Sequence, residues 1–88
     1  MHKKEYIELL DFIDENNGWA ESYYREHKAG IPLVKYVKTS YDTRDYDIWW
    51  ILLAVGGKDV VFAHQNCDLI NIKNYLQGKE AEYTVERR

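Results

Sequence analysis

A histidine–cysteine pair and a cluster of carboxylates are the side chains with the types and spacing to do chemistry in this chain. His64-Gln65-Asn66-Cys67 has an H-x-x-C spacing, with Asp68 beside it. A tetrahedral zinc site takes three or four such ligands, and His2 and His27 lie far off in sequence. A thiol at a helix N-terminus is a candidate nucleophile, because the helix end lowers its pKa. A Cys67–His64 pair would also need an orienting acid and an oxyanion hole, and neither is marked in the sequence. The expectation is a buried thiol and a strand-end histidine. Asp42, Asp45 and Asp47 gather around Arg44, but D-x-x-D-x-D lacks the glycine and the closing glutamate of a calcium loop. They are expected to satisfy turn hydrogen bonds and keep a strand end wet, or to join an acidic recognition patch. Gly56-Gly57-Lys58 lacks the spacing of a phosphate-binding loop, and neither Ser22 nor Ser40 has the glycines of a nucleophile elbow. No catalytic set, metal or cofactor is expected, and the chain does not read as an enzyme.

The elements that must position these residues form a small α+β fold in one domain, residues 1–88. Tyr6, Leu9, Leu10 and Ile13 follow the i, i+3, i+4, i+7 pattern of an amphipathic helix, with Glu5, Glu8, Asp11, Asp14 and Glu15 on the rest of its surface. Asn16-Asn17-Gly18 is a stop signal. A second helical stretch, Trp19 to Lys28, aligns Trp19, Tyr23 and His27 before Gly30 and Pro32. The two stretches are read as N-terminal helices, in one kinked rod or a hairpin. The period then changes. Leu33–Tyr41, Tyr46–Val55 and Lys58–His64 read as a three-stranded antiparallel meander, with a hairpin turn at Gly56-Gly57. The continuous apolar run from Ile48 marks the second strand as central and covered on both faces, by helices or by another copy of the protein. Asn66 or Asp68 can cap a C-terminal helix to about Gln77, packed on the sheet through Leu69, Ile72 and Leu76. Ala81–Glu86 reads as a short fourth strand or a loose tail.

Composition narrows the class further. Of 88 residues 45% are hydrophobic, one is proline and one is cysteine, which excludes a Pro-rich disordered chain and an internal disulfide framework. The N-terminus lacks a signal-peptide apolar region, and Ile48–Val55 is far shorter than the ~20 residues of a membrane helix. The chain is expected to be soluble and cytoplasmic, with no membrane partner. Lys3, Lys4, Arg87 and Arg88 sit at the ends; residues 5–86 hold 8 basic against 15 acidic groups, a balance of −7. An acidic body disfavours a phosphate-tracking groove and suits a partner with a basic face. Three Trp and eight Tyr exceed what a core of this size holds, and such residues are enriched at interfaces. Trp49 and Trp50 are expected in the core, on opposite faces of their strand.

The order of helix, three antiparallel strands and helix resembles the double-stranded-RNA-binding domain, with Ile31-Pro32 through Gly57-Lys58 where that fold's first strands and hairpin lie. That resemblance implies nucleic-acid binding through phosphate-holding lysines. Here the corresponding stretch is His64–Asp68, with no lysine until Lys73. The expected function is instead that of a non-catalytic protein-binding module, an inhibitor or adaptor of the kind phages and mobile elements encode, anti-CRISPR blockers of host nuclease complexes among them. Glu8, Asp11, Glu15, Tyr23, Tyr24, Asp42, Asp45 and Asp47 are the expected partner-binding residues. Nucleic-acid binding through Lys35, Lys38 and Lys58 is the runner-up, and an enzyme built on Cys67 and His64 is third. A homodimer fits all three, since a second copy would cover the apolar sheet face.

Overall fold

The computed structural model describes residues 1–27, 33–39 and 47–87. A single helix α1 spans Lys3–His27, followed by strands β1 (Val34–Thr39), β2 (Trp50–Val55) and β3 (Lys58–Ala63), helix α2 (Leu69–Leu76) and strand β4 (Thr84–Arg87). The four strands form one antiparallel sheet in sequence order, β1-β2-β3-β4. The α+β class, the central position of β2 and the helix after the sheet are as the sequence implies, and the C-terminal segment adopts the strand rather than the tail.

The stop expected at Asn16-Asn17-Gly18 does not end α1. Leu9, Ile13 and Ala20 lie on one buried line across it, so packing holds the helix through a locally weak stretch. Asn17 is used otherwise: its Nδ2 donates to the Val34 carbonyl at 3.0 Å, and its Oδ1 accepts from the Val34 N–H at 3.1 Å. The side-chain amide thus acts as a short strand against β1.

Both helices pack on the same face of the sheet. Val34, Ile51, Leu53, Val55, Val60 and Phe62 present that face, and Leu9, Ile13 and Ile72 cover it. Register places Lys38, Leu52 and Val61 together on the opposite face, with Trp50 and Ala63 beside them. Ala54 belongs to this second face yet is only 2% exposed. The Tyr36 hydroxyl reaches Asp59 Oδ1 at 3.4 Å, which carries the ring across Ala54 from β1 to β3. No described helix covers the rest of this face.

The tryptophan pair is therefore not core. Trp49 is 66% exposed and Trp50 37% exposed: Trp50 lies on the outer face, which neither α1 nor α2 covers, and Trp49 precedes β2, outside the paired strand. His64 also departs from expectation. β3 ends at Ala63, and His64 has φ +55°, so the chain leaves the strand into a short 3₁₀ turn, with His64 exposed and no longer aligned with Val60 and Phe62. Gly56 and Gly57, at φ +58° and +79°, make the hairpin turn whose twist matches the strands it joins. Asp68 is the N-cap of α2; its Oδ1 accepts from the N–H groups of Ile70 and Asn71 at 3.0 and 3.2 Å. β4 is steered into place by Asn71, whose Nδ2 donates to the Glu82 carbonyl and whose Oδ1 accepts from the Glu82 N–H. That fourth strand takes the sheet beyond the three-stranded layout the sequence resembles.

Candidate functional site

The helical spacing of Glu8, Asp11 and Glu15, at i, i+3 and i+7, puts them along one flank of α1, and all three are exposed. Glu8 Oε1 meets Lys73 Nζ at 3.1 Å, and Lys73 Nζ also lies 5.3 Å over the Phe12 ring, so this flank borders α2. Asp11 and Glu15 have no ion-pair partner among the described residues. Trp19 follows Glu15 by four residues, one helical turn further along the same flank, and its side chain is 58% exposed.

Beyond Glu15 the flank opens into a hollow of about 330 Å³ between α1, the end of β2 and the C-terminal end of α2. Among the described residues, Asn16 and Trp19 of α1, Val55 of β2 and Tyr75, Leu76, Gln77 and Gly78 at the end of α2 line it. Tyr75 is held edge-on against Phe62 and Tyr83, at centroid distances of 5.6 and 4.7 Å, so one wall is fixed by the core. Burial pushes the Tyr75 phenol above its ordinary pKa, with the neighbouring Tyr83 phenol adding to it, so it is a neutral donor at physiological pH. Gly78, with φ +74°, turns the chain away after α2.

The other expected residues do not all join this flank. Asp47 is at the start of α1, where His2 and Asp47 form a β-bridge and His2 Nδ1 lies 3.4 Å from Asp47 Oδ1. Tyr23 and Tyr24 continue the α1 backbone; their side chains, and Asp42 and Asp45, lie outside the described residues. Cys67 is buried, with Sγ directed at the Ile48 carbonyl at 3.6 Å. Burial pushes its thiol pKa up, against the pull of the Met1 ammonium and with a further push from Asp68. The lowered thiol pKa that a nucleophile needs is thus overturned: Cys67 precedes the N-cap and sits in apolar surroundings, not on the open helix end. Among the described residues no three His, Cys, Asp or Glu side chains gather as metal ligands. The three lysines of a sheet-borne nucleic-acid surface are divided, since Lys38 registers with Leu52 on the outer face and Lys58 with Val55 on the helix-covered face. No helix among the described residues is long and apolar enough to cross a membrane.

Sequence reasoning named the acids of α1 but missed the hollow. It is assembled from α1, β2 and α2, which no local spacing brings together; the one local signal was an aromatic placed four residues after Glu15. No protein-family model, curated protein or solved structure matches this chain.

Proposed function

We propose that the protein is a non-catalytic binding module that acts on another protein through the acidic flank of α1. The observation that carries this reading is the continuity of exposed Asp11 and Glu15 with the exposed indole of Trp19 on one helix flank. Carboxylates without partners steer a basic surface towards the flank, and a large rigid aromatic supplies the contact area that anchors it. A small acidic binder of this kind fits an inhibitor or adaptor that occludes a basic working surface on its target, such as the nucleic-acid path of a host nuclease complex. That target class is carried by charge and size alone.

The test is capture of partners by the tagged chain from nuclease-treated lysate, repeated with Asp11→Lys and Glu15→Lys together. Wild-type protein is expected to retain a protein partner without nucleic acid, and the double variant to lose at least about tenfold of it. Equal retention by the double variant would overturn the reading, as would capture that disappears with nuclease.

A further inference from the structure

The sheet ends at β1 on one side and at β4 on the other, and the outward edge of β1 keeps backbone groups to spare. Their direction follows from the hairpin. The tight turn at Gly56-Gly57 makes Val55 and Lys58 a hydrogen-bonded pair, and alternation repeats this at Leu53 with Val60 and at Ile51 with Phe62. Leu52 and Ala54 therefore point their N–H and C=O groups at β1, where Lys38 is the hydrogen-bonded partner of Leu52. Val34, Val37 and Thr39 are left with theirs on the outward edge. Asn17 occupies both groups of Val34, as this direction requires. Among the described residues nothing takes those of Val37 and Thr39; the Thr39 hydroxyl points the other way and donates to the Trp50 carbonyl at 2.7 Å.

We propose that this edge binds an extended acidic segment of another protein, added antiparallel to β1 as a fifth strand. A groove of about 380 Å³ runs along the edge between α1 and β1. Among the described residues Lys3, Tyr6, Ile7 and Leu10 of α1 and Val37 and Thr39 of β1 line it, and Ile7 is 50% exposed. Register puts Val37 and Thr39 on the helix-covered face, beside Leu53 and Ile51. Partner residues opposite these two turn their side chains into the groove, which asks for apolar ones. The partner residue between them falls opposite Lys38 on the outer face, in a pair without ladder bonds, where side chains approach most closely. Lys38 is exposed, with Nζ 5.1 Å from the centroid of the Tyr36 ring, a contact that leaves its charge in place. Neither Lys38 nor the exposed Lys35 forms an ion pair among the described residues. A carboxylate opposite Lys38 supplies the missing counter-charge, so the segment reads apolar, acidic, apolar. A second copy of this chain fits less well, because pairing two β1 edges sets lysine-bearing strands against each other. The edge is separate from the acidic flank of α1, which borders α2, and stands or falls without it.

The probe is the blocked peptide Val-Glu-Val-Glu-Val, titrated into the full chain and followed by NMR. Two controls accompany it: Val-Lys-Val-Lys-Val, which reverses the charge, and Val-Glu-Pro-Glu-Val, whose proline removes a ladder N–H. The glutamate peptide is expected to move the Val37 and Thr39 amide signals and the Ile7 methyl signals saturably in the millimolar range, and to slow hydrogen exchange at both amides. The lysine peptide is expected to bind about tenfold more weakly, and the proline peptide at least about fivefold. Lys38→Glu, at an exposed position, is expected to weaken the glutamate peptide about fivefold and to tighten the lysine peptide. Ile7→Ser is expected to weaken the glutamate peptide about threefold. Equal binding of the glutamate peptide and either control would overturn the proposal. So would unchanged binding in Lys38→Glu or in Ile7→Ser, or no response up to about 20 mM peptide, well above the millimolar range. Slow exchange at the Val37 and Thr39 amides before any peptide is added would overturn it too. Protection that is independent of protein concentration would then give the edge to the chain itself, and protection that rises with concentration would give it to a second copy.

Discussion

Asn17 and Asn71 each lend a side-chain amide to a backbone segment that would otherwise end unpaired, at Val34 and at Glu82. Both bonds to Val34 disappear in Asn17→Ala, and the variant is expected to lose about 1–3 kcal/mol in urea unfolding. A loss below about 0.5 kcal/mol would mean that water replaces the amide freely. The same asparagine shows why part of the fold was hidden. In sequence, Asn-Asn-Gly reads as a helix terminator, because the side-chain amide competes for local backbone; here that amide is engaged 17 residues away, and the competition is gone. Titration at Cys67 and Tyr75 belongs to this scale too. Burial is the first cause of both upward shifts, so each group resists ionisation in the folded state but not in the unfolded one. Their contribution is complete below the unfolded pKa values, about 8.5 and 10, and is lost as pH rises through the higher folded values. The urea midpoint is expected to fall above about pH 8.5, and to fall less in Cys67→Ala with Tyr75→Phe. A parallel fall in that double variant would assign the alkaline loss elsewhere.

Helix α1 carries Gly18 in its interior, where an added Cβ meets nothing within 4 Å. Gly18→Ala is therefore expected to stabilise the fold by about 0.5–1 kcal/mol, by lowering the chain entropy that the helix must overcome. Gly57→Ala has equal room but sits at φ +79°, and is expected to cost about 1–2 kcal/mol. A reversed order of these two variants in urea unfolding would contradict the continuous helix or the hairpin turn. The strands were legible because β2 and β3 are bounded by two glycines and rich in β-branched and aliphatic residues. What the apolar run of β2 cannot encode is whether its second face is covered from within the chain. Leu52 and Ala54 face outward under Tyr36 and its neighbours, and Trp50 extends the same row into solvent. The strand left open was β4: Ala81–Glu86 alternates enough for a strand but is short and polar enough for a tail, and Asn71 and register with Val60 and Val61 place it in the sheet.

At the scale of the molecule, both helices on one side of the sheet leave the other side bearing aromatic surface. Trp49→Ala and Trp50→Ala are expected to shift the thermal midpoint by only a few degrees, because both side chains are substantially exposed. Leu53→Ala, at a fully buried position between both helices and the sheet, is expected to cost about 2–5 kcal/mol. A large loss of stability in Trp50→Ala would show that the outer face is closed by a second copy, and sedimentation at increasing concentration would then reveal the dimer.

Each strand pairs with the one that precedes or follows it in the chain, and this has a kinetic meaning. The sheet can grow outward from a single two-residue hairpin, a unit that forms in about 1–10 μs. The β1–β2 ladder then closes a connection of ten residues, and β4 joins across twenty residues that include α2, still modest separations whose closure entropy grows slowly with length. Refolding is therefore expected to be fast and single-exponential for a protein built on a four-stranded sheet. Val60→Ala in the β2–β3 hairpin should slow folding, whereas Ile48→Val, beside the pairing of Met1 with Ile48 across 47 residues, should mainly speed unfolding. Stopped-flow chevrons with these effects exchanged would place the nucleus at the N-terminal end of α1 instead.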